Sequence, residues 1–166
     1  MMESFVKPIE KALLPIFKSL PDLPEEFRRT LVKLWPILAL IFGVLQMIAA
    51  VGLWQIGSQL SGYANELSMS TRYGIVTGQL GVFYYVGLGV LVLDAIILLM
   101  AYPALNARKK KGWDLLFLAA LLNVAYSVAM LFGAHFSGSI NSLFGAFFGS
   151  AVGLYFLFQV REFYKV

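Results

Sequence analysis

The stretch KLWPILALIFGVLQMIAAVGLWQ, residues 33–55, decides the fold class. Between Trp35 and Trp54 its only strongly polar residue is Gln46. The two tryptophans lie 19 residues apart, which in a helix corresponds to about 28 Å, close to the roughly 30 Å of a bilayer's hydrocarbon core. We therefore expect a membrane-spanning helix with a tryptophan anchor at each interface.

Three further apolar stretches have a similar length and composition, at about residues 83–102, 114–134 and 139–160. With 60% hydrophobic and 13% charged residues, a soluble fold would lack the polar surface needed to cover itself. The sequence therefore predicts an all-α integral membrane protein, a four-transmembrane-helix bundle over residues 33–160. Trp113 and Tyr164 fall near the ends of these spans, and we expect them to be interfacial anchors like the two tryptophans of the first span.

The connections between the spans differ in length. Residues 103–112 and 133–138 are short links, so the second and third helices, and the third and fourth, are predicted to be antiparallel neighbours. Residues 56–81 form a longer link that is rich in Gly, Ser, Gln, Asn and Thr. We expect this link to hold a short surface helix or to form a cap.

Lysine and arginine collect in three places: the segment 1–32, the connection 106–112 and the tail 161–166. The other two connections hold only Arg72. Under the positive-inside rule, this asymmetry predicts a multi-pass protein with both termini and the second connection in the cytoplasm. We expect the membrane to be a plasma or inner membrane. Because the charge flanks the spans, the net charge of +4 indicates membrane lipids and not nucleic acid as the partner.

One run of four basic residues lies between the second and third spans: Arg108, Lys109, Lys110 and Lys111. Each such charge can attract anionic lipid headgroups with about 1 kcal/mol near the surface. The run is also a topology determinant, and the two roles are compatible.

The N-terminal segment 1–32 has the pattern of an interfacial amphipathic helix. Its lysines Lys7, Lys11 and Lys18 share one side, and Pro15 is expected to interrupt a single continuous helix. A second start signal, Asp22 to Glu25, predicts a short helix that leads into the first span and bends near Pro36. The apolar side is formed by Phe5, Ile9, Leu13, Ile16, Phe17 and Leu20.

Small residues recur four apart along the predicted spans, which lets helix backbones approach closely in lipid. We interpret them first as internal packing and second as a seam between copies of the chain. They are Gly145, Gly149 and Gly153 in the fourth span, Ala125, Ala129 and Gly133 in the third, and Ala39, Gly43 and Ala50 in the first.

Four polar residues fall at a similar depth near the membrane midplane: Gln46, Asp94, Asn123 and Ser150. Asp94 shares a helical face with small residues, so we expect it to point inward. A charged carboxylate exposed to lipid is costly, so we expect Asp94 to be protonated, hydrogen-bonded or in contact with water. It either fixes the register of the helices through hydrogen bonds with Gln46 or Asn123, or it is a proton or cation site.

The chain carries no sign of a catalytic centre. It has no cysteine, no phosphate loop, no nucleophile elbow and no His-Glu metal motif. We therefore expect neither enzyme activity, nor a cofactor, nor a metal site. The leading hypothesis is a non-catalytic scaffold, accessory or regulatory subunit that acts through helix packing and lipid contact, with a membrane-protein partner or a second copy of the chain. The alternative is a small proton- or cation-coupled transporter or channel that uses Asp94.

Overall fold

A computed structural model describes residues 2–70, 82–133 and 140–164, and the side chains of residues 6–59, 84–129 and 149–164. Helix accounts for 91% of this part of the chain, and no strand occurs in it. The elements are α1 (Met2–Lys18), α2 (Glu25–Ser70), α3 (Val82–Asn106), α4 (Lys110–Gly133), α5 (Ile140–Gln159) and a 3₁₀ turn (Arg161–Phe163).

Three helices are long and apolar enough to cross a membrane: Glu25–Gln59 within α2, Tyr84–Asn106 in α3 and Lys110–Ala129 in α4. They overlap the first three predicted spans and support them by length and composition, and the all-α fold class is confirmed. The chain is thus a membrane protein. The fourth predicted span falls on α5, and the side chains of residues 141–148 in its first half lie outside the described ones.

Helix α2 is much longer than the predicted first span. It runs for 46 residues, about 69 Å at 1.5 Å per residue, so the predicted link 56–81 is helical as far as Ser70. The segment after residue 55 contains no proline before Ser70, and its glycines each weaken a helix by only about 1 kcal/mol. Residues 71–81 lie outside the described part.

The prolines do not end helices where the sequence predicts a break. Helix α1 is continuous through Pro8 and Pro15, and α2 is continuous through Pro36. Pro8 and Pro15 are both exposed, so each ring displaces the helix backbone on an open side, where the strain is easiest to relax. The predicted interruption at Pro15 is therefore wrong.

The helices pack in chain order: α2 lies against α3, α3 against α4, and α4 against α5, while α1 contacts α4 and α5. Helix α2 contributes one narrow seam, because its buried positions recur at intervals of three, four or seven residues. Most of its remaining surface between Leu34 and Ile56 is apolar and exposed. The residues of this seam are Val32, Pro36, Ala39, Gly43, Ala50 and Gly57.

Among the described residues, the largest fully buried side chains lie at one end of the helices, which we call the basic end. There the start of α2, the turn between α3 and α4, and the end of α5 come together. Trp113, predicted as an interfacial anchor, is 0% exposed, and its indole N–H donates to the Leu157 carbonyl at 2.8 Å. Helix α1 covers this end, and Phe17 stacks on Phe158 with ring centroids 4.6 Å apart. The tryptophan therefore faces protein and not lipid headgroups.

The turn between α3 and α4 is a tight Schellman-type stop. The Lys109 N–H bonds the Ala104 carbonyl, and the Arg108 N–H bonds the Leu105 carbonyl, both at 2.9 Å. Arg108 occupies the left-handed position with φ 52°. A Cβ placed on Gly112 would lie 2.5 Å from the Leu105 nitrogen, so only glycine fits there.

Candidate functional site

Asp94 and Gln46 form a polar pair in the middle of the α2–α3 seam. The Gln46 Nε2 donates to Asp94 Oδ2 at 2.9 Å, and Asp94 is 3% exposed. Gly43 lies one turn before Gln46, and a Cβ added there would come within 3.0 Å of the Leu99 side chain and 3.3 Å of the Ala95 carbonyl oxygen. The small residues of the seam thus bring the two helices close enough for the short amide and carboxyl groups to meet.

Two atoms of this pair have no hydrogen-bond partner within the described part of the chain: Asp94 Oδ1 and Gln46 Oε1, both buried. Both are acceptors when the carboxyl group is ionised. A proton on Oδ1 would turn that atom into a donor, and Gln46 Oε1 is the acceptor that the pair leaves unused. A carboxylic acid and a carboxamide can in this way share two hydrogen bonds.

The other two residues of the predicted polar layer lie elsewhere. Asn123 is exposed, and its Nδ2 donates to the Ala119 carbonyl of the same helix at 3.0 Å. Ser150 is half-buried on α5. Among the hydrogen bonds of the described residues, none joins either side chain to Asp94. Helices that are apolar around most of their circumference give no sequence signal for their rotation, so depth alone could not identify the contacts.

The predicted packing residues divide in the same way. Ala39, Gly43 and Ala50 are buried in the α2–α3 seam, whereas Ala125 and Ala129 are exposed. A Cβ on Gly149 or Gly153 would meet no described heavy atom within 4 Å, so no close helix contact occurs at these two glycines within the described part. The side-chain environments of Gly133 and Gly145 lie outside the described residues.

The basic run is split between solvent and the protein interior. Arg108, Lys109 and Lys111 are exposed, whereas the Lys110 ammonium lies 2.9 Å from Asp114 and 3.4 Å from Glu10. Asp114, one turn into α4, is therefore a buried ion-pair partner. Of the four residues predicted to meet lipid headgroups, Lys110 is already engaged within the chain.

Glu10 is the centre of this arrangement. It is 5% exposed and also accepts from Arg161 Nε at 2.5 Å, so it ties α1 to the start of α4 and to the 3₁₀ turn after α5. Both cations lie over the Trp113 ring, with Lys110 Nζ 5.1 Å and Arg161 Cζ 5.9 Å from its centroid. We call Glu10, Lys110, Trp113, Asp114 and Arg161 the basic-end cluster.

Sequence reasoning missed Glu10 and Arg161. A signal for Glu10 exists, because it continues a series of inward positions on α1 at intervals of four and three residues, with Val6 before it and Leu13 and Phe17 after it. Arg161 carries no comparable signal. Its partner lies on α1, at the other end of the chain.

Tyr164 is a further residue of the basic end whose environment differs from the prediction. It was expected to be an interfacial anchor but is 4% exposed, and its hydroxyl has no hydrogen-bond partner within the described residues. Burial raises the pKa of Tyr164 to about 12, while the charge of Arg108 acts in the opposite direction. The Arg108 guanidinium therefore lies near a buried, unpaired hydroxyl.

The chain matches no known protein family, no curated protein and no solved structure. Chemically, the described residues offer two polar arrangements. The Gln46–Asp94 pair joins α2 to α3 by a hydrogen bond, and the basic-end cluster joins three separate parts of the chain. Within the described part, no group of three His, Cys, Asp or Glu side chains could hold a metal ion.

Proposed function

We propose that this protein is a non-catalytic, multi-pass membrane protein that acts as a scaffold, accessory or regulatory subunit, and that Asp94 serves its structure. The observation that carries this proposal is the burial of Asp94, which is 3% exposed and hydrogen-bonded to Gln46. A coupling acid must exchange its proton or ion with water at some stage of transport. A carboxyl group enclosed between two helices is better suited to hold those helices in register.

The contacts of α5 support a bundle of four spans. Leu157, near the end of α5, accepts the hydrogen bond of Trp113 in the first turns of α4. Helix α5 begins shortly after α4 ends and returns to the start of α4, so the two helices are antiparallel. Its 20 residues correspond to about 30 Å, which is sufficient to cross the hydrocarbon core.

The clustering of basic residues supports a cytoplasmic location for the basic end. Arg29, Lys33 and Arg108 line one cavity, and Lys110 and Arg161 share Glu10. The basic residues of three separate segments are thus close together in space, as the positive-inside rule requires of one membrane face. Both termini are then cytoplasmic, and a plasma or inner membrane is the expected location.

The exposure pattern of α1 supports an interfacial amphipathic helix. Its inward face is buried against α4 and α5, and Lys11 and Lys18 are exposed. Ile16 is 58% exposed, on a helix that lies at the level of the basic end. An exposed isoleucine beside exposed lysines is the arrangement that lets a surface helix contact acyl chains and headgroups together.

The open surface of α2 supports the accessory role. Apolar side chains are exposed on all sides of this helix except the seam, among them Leu34, Phe42, Val44 and Val51. Lipid chains, a helix of a partner membrane protein, or a second copy of this chain have the chemistry to cover such a surface. The open sides of Gly149 and Gly153 offer a further place for close helix approach.

The alternative is a small proton- or cation-coupled transporter or channel. It is favoured by one observation, the two unpaired oxygens Asp94 Oδ1 and Gln46 Oε1. Two oxygens are too few to replace the shell of a hard cation, which takes about six ligands or more. A proton is therefore the only species that this pair could bind without further groups.

Proton flux into proteoliposomes tests the proposal. The wild-type protein and Asp94→Asn are reconstituted at equal density with a trapped pH indicator, and a pH gradient is applied. We expect both to acidify the vesicles no faster than empty liposomes do. Flux through the wild type that is lost in a correctly folded Asp94→Asn variant would overturn the structural role and favour the transporter.

A further inference from the structure

A cavity of about 330 Å³ opens at the basic end between three parts of the chain. Arg29 and Lys33 come from the first turns of α2, one turn apart, and Arg108 comes from the turn between α3 and α4. Val32 and Phe163 supply apolar lining. The cavity therefore presents three cations and no carboxylate among its lining residues.

The charges of this cavity are available to a ligand. Lys33 and Arg108 form no ion pair within the described residues, and Arg29 pairs only with Glu25 at 2.7 Å. That pair is exposed on both sides, at 67% and 62% of the side-chain surface. Exposed pairs of this kind are weak, because water competes for both partners. An incoming anion can therefore take over the Arg29 guanidinium.

Arg108 has a left-handed backbone conformation that is unfavourable for a residue with a side chain. With φ 52°, it occupies the position after α3 where glycine is the usual residue and where a Cβ is unfavourable. Its side chain lines the cavity. Strain of this kind is found where a side chain has a functional role.

The surface of α2 beyond the cavity fits an acyl chain. From Arg29 and Lys33, a ridge of side chains at intervals of four and three residues continues along α2 as exposed apolar residues and winds slowly around the helix. The distance from Lys33 to the last of them is about 22 Å along the helix. A soluble phosphate would leave this surface unused. The apolar side chains are Ile37, Ile41, Leu45 and Ile48.

We propose that this cavity binds the phosphate headgroup of an anionic membrane phospholipid, whose acyl chains lie along α2. The inference rests on the proposed function in one respect, the placement of the basic end at a membrane face. It replaces the linear run 108–111 by a site in which only Arg108 of that run takes part. The phosphate lies between the α2 cations and Arg108.

Lipid titration of the purified full-length protein in detergent tests this site. The probes are dioleoylphosphatidylglycerol, zwitterionic dioleoylphosphatidylcholine and inorganic phosphate, and binding is measured by native mass spectrometry. We expect the anionic lipid to bind at least tenfold more tightly than the zwitterionic lipid. Lys33→Gln combined with Arg108→Gln should lower its affinity about 25-fold, at about fivefold for each cation.

Two charge-matched double variants separate this site from diffuse attraction. Lys11→Gln with Lys18→Gln, on α1, should change the affinity less than twofold. Lys109→Gln with Lys111→Gln should also lower the affinity less than the cavity variant does. An equal or larger loss of affinity would show that the headgroup contacts the linear run 108–111 and not the cavity. Arg108→Gly relieves the left-handed backbone and should keep the fold while it lowers affinity about fivefold.

The remaining outcomes also bear on the proposal. Inorganic phosphate that competes with the lipid at equal concentration would make the site a free-phosphate site. Equal affinities for the two lipids would overturn the headgroup site and leave the role of Asp94 untouched. Proton flux through Asp94 would overturn the proposed function and leave the lipid result as measured.

Discussion

The basic end and the middle of the α2–α3 seam are held together in different ways. At the basic end, large aromatic side chains form a buried core around Trp113, and beside it the buried carboxylates of Glu10 and Asp114 pair with partly buried cations. In the seam, small residues and the polar pair of Gln46 with Asp94 lie between α2, whose other sides are mostly exposed as far as residue 59, and α3, which also packs against α4. Within the described residues, the largest buried side chains are thus concentrated at the basic end, whereas the middle of the seam is built from small ones. In the described part of the spans, α2 and α3 are joined by close backbone approach and by two interhelical hydrogen bonds, one between Gln46 and Asp94 and one from the Tyr84 hydroxyl to the Leu53 carbonyl.

The largest effect is expected from Gly112→Ala at the basic end. The new methyl group would lie 2.5 Å from the Leu105 nitrogen and 2.9 Å from its Cα, and backbone atoms cannot move aside as a side chain can. We expect the free energy of unfolding in detergent to fall by about 3 kcal/mol. Reversible unfolding monitored by circular dichroism measures this loss.

Gly89→Ala is the matched control, because a Cβ there meets no described atom within 4 Å. It should leave stability unchanged or raise it by about 0.5–1 kcal/mol. Equal behaviour of the two alanine variants would contradict the tight turn between α3 and α4.

The second effect concerns the basic-end cluster. Glu10→Gln removes the charge shared by Lys110 and Arg161 and leaves two partly buried cations without that partner. We expect the free energy of unfolding to fall by about 2 kcal/mol and α1 to be cleaved faster by protease. Limited trypsin digestion of the reconstituted protein measures how fast α1 is cleaved. Glu162→Gln, at an exposed position, should change neither quantity measurably, so a comparable loss in that control would show that general charge is responsible.

The apolar helices and their small-residue stripes could be predicted from the sequence. The contacts between residues far apart in the sequence could not. Residues 33–55 already identified a membrane helix with a small-residue stripe, because hydrophobic length and residue size are local properties. The contact of Glu10 with Arg161 joins the two ends of the chain, and no local pattern encodes such a pair. The continuation of α2 to Ser70 was also missed, since polar residues suggest a loop even where nothing stops the helix.

The candidate site was predicted in part, for a related reason. The midplane depth of Gln46 and Asp94 follows from counting residues along each span, and the structure brings these two together. Asn123 has the same predicted depth but faces outward. Depth depends on position in the sequence, whereas direction depends on helix rotation, which nearly uniform apolar helices leave undetermined.

The third effect concerns the seam. Asp94→Leu leaves the Gln46 amide buried without its acceptor and should lower the free energy of unfolding by about 1 kcal/mol. Asp94→Asn retains an acceptor oxygen and should lower it by less. The double variant Gln46→Leu with Asp94→Leu should recover part of the loss. A double-mutant cycle measures the coupling, which we expect at about 0.6–1.7 kcal/mol. Strictly additive losses would contradict an interhelical lock.

The smallest effect has the opposite sign. Arg108→Gly places glycine at the left-handed position after α3 and should raise the free energy of unfolding by about 0.5–1 kcal/mol. Thermal unfolding in lipid-free detergent measures it, so that loss of lipid binding does not mask the gain. Ala107→Gly, at the neighbouring position, should not stabilise. A loss of stability in Arg108→Gly would contradict the description of this turn.

The proposed four-span topology, with the basic end in the cytoplasm, can be tested directly because the sequence contains no native cysteine. Single cysteines are introduced by Gly62→Cys, by Lys109→Cys and by one residue added after Val166, and intact cells are treated with a membrane-impermeant maleimide. We predict that only Gly62→Cys is labelled before permeabilisation and that the other two are labelled after it. Labelling of Gly62→Cys and of the C-terminal cysteine from the same side would contradict the four-span topology.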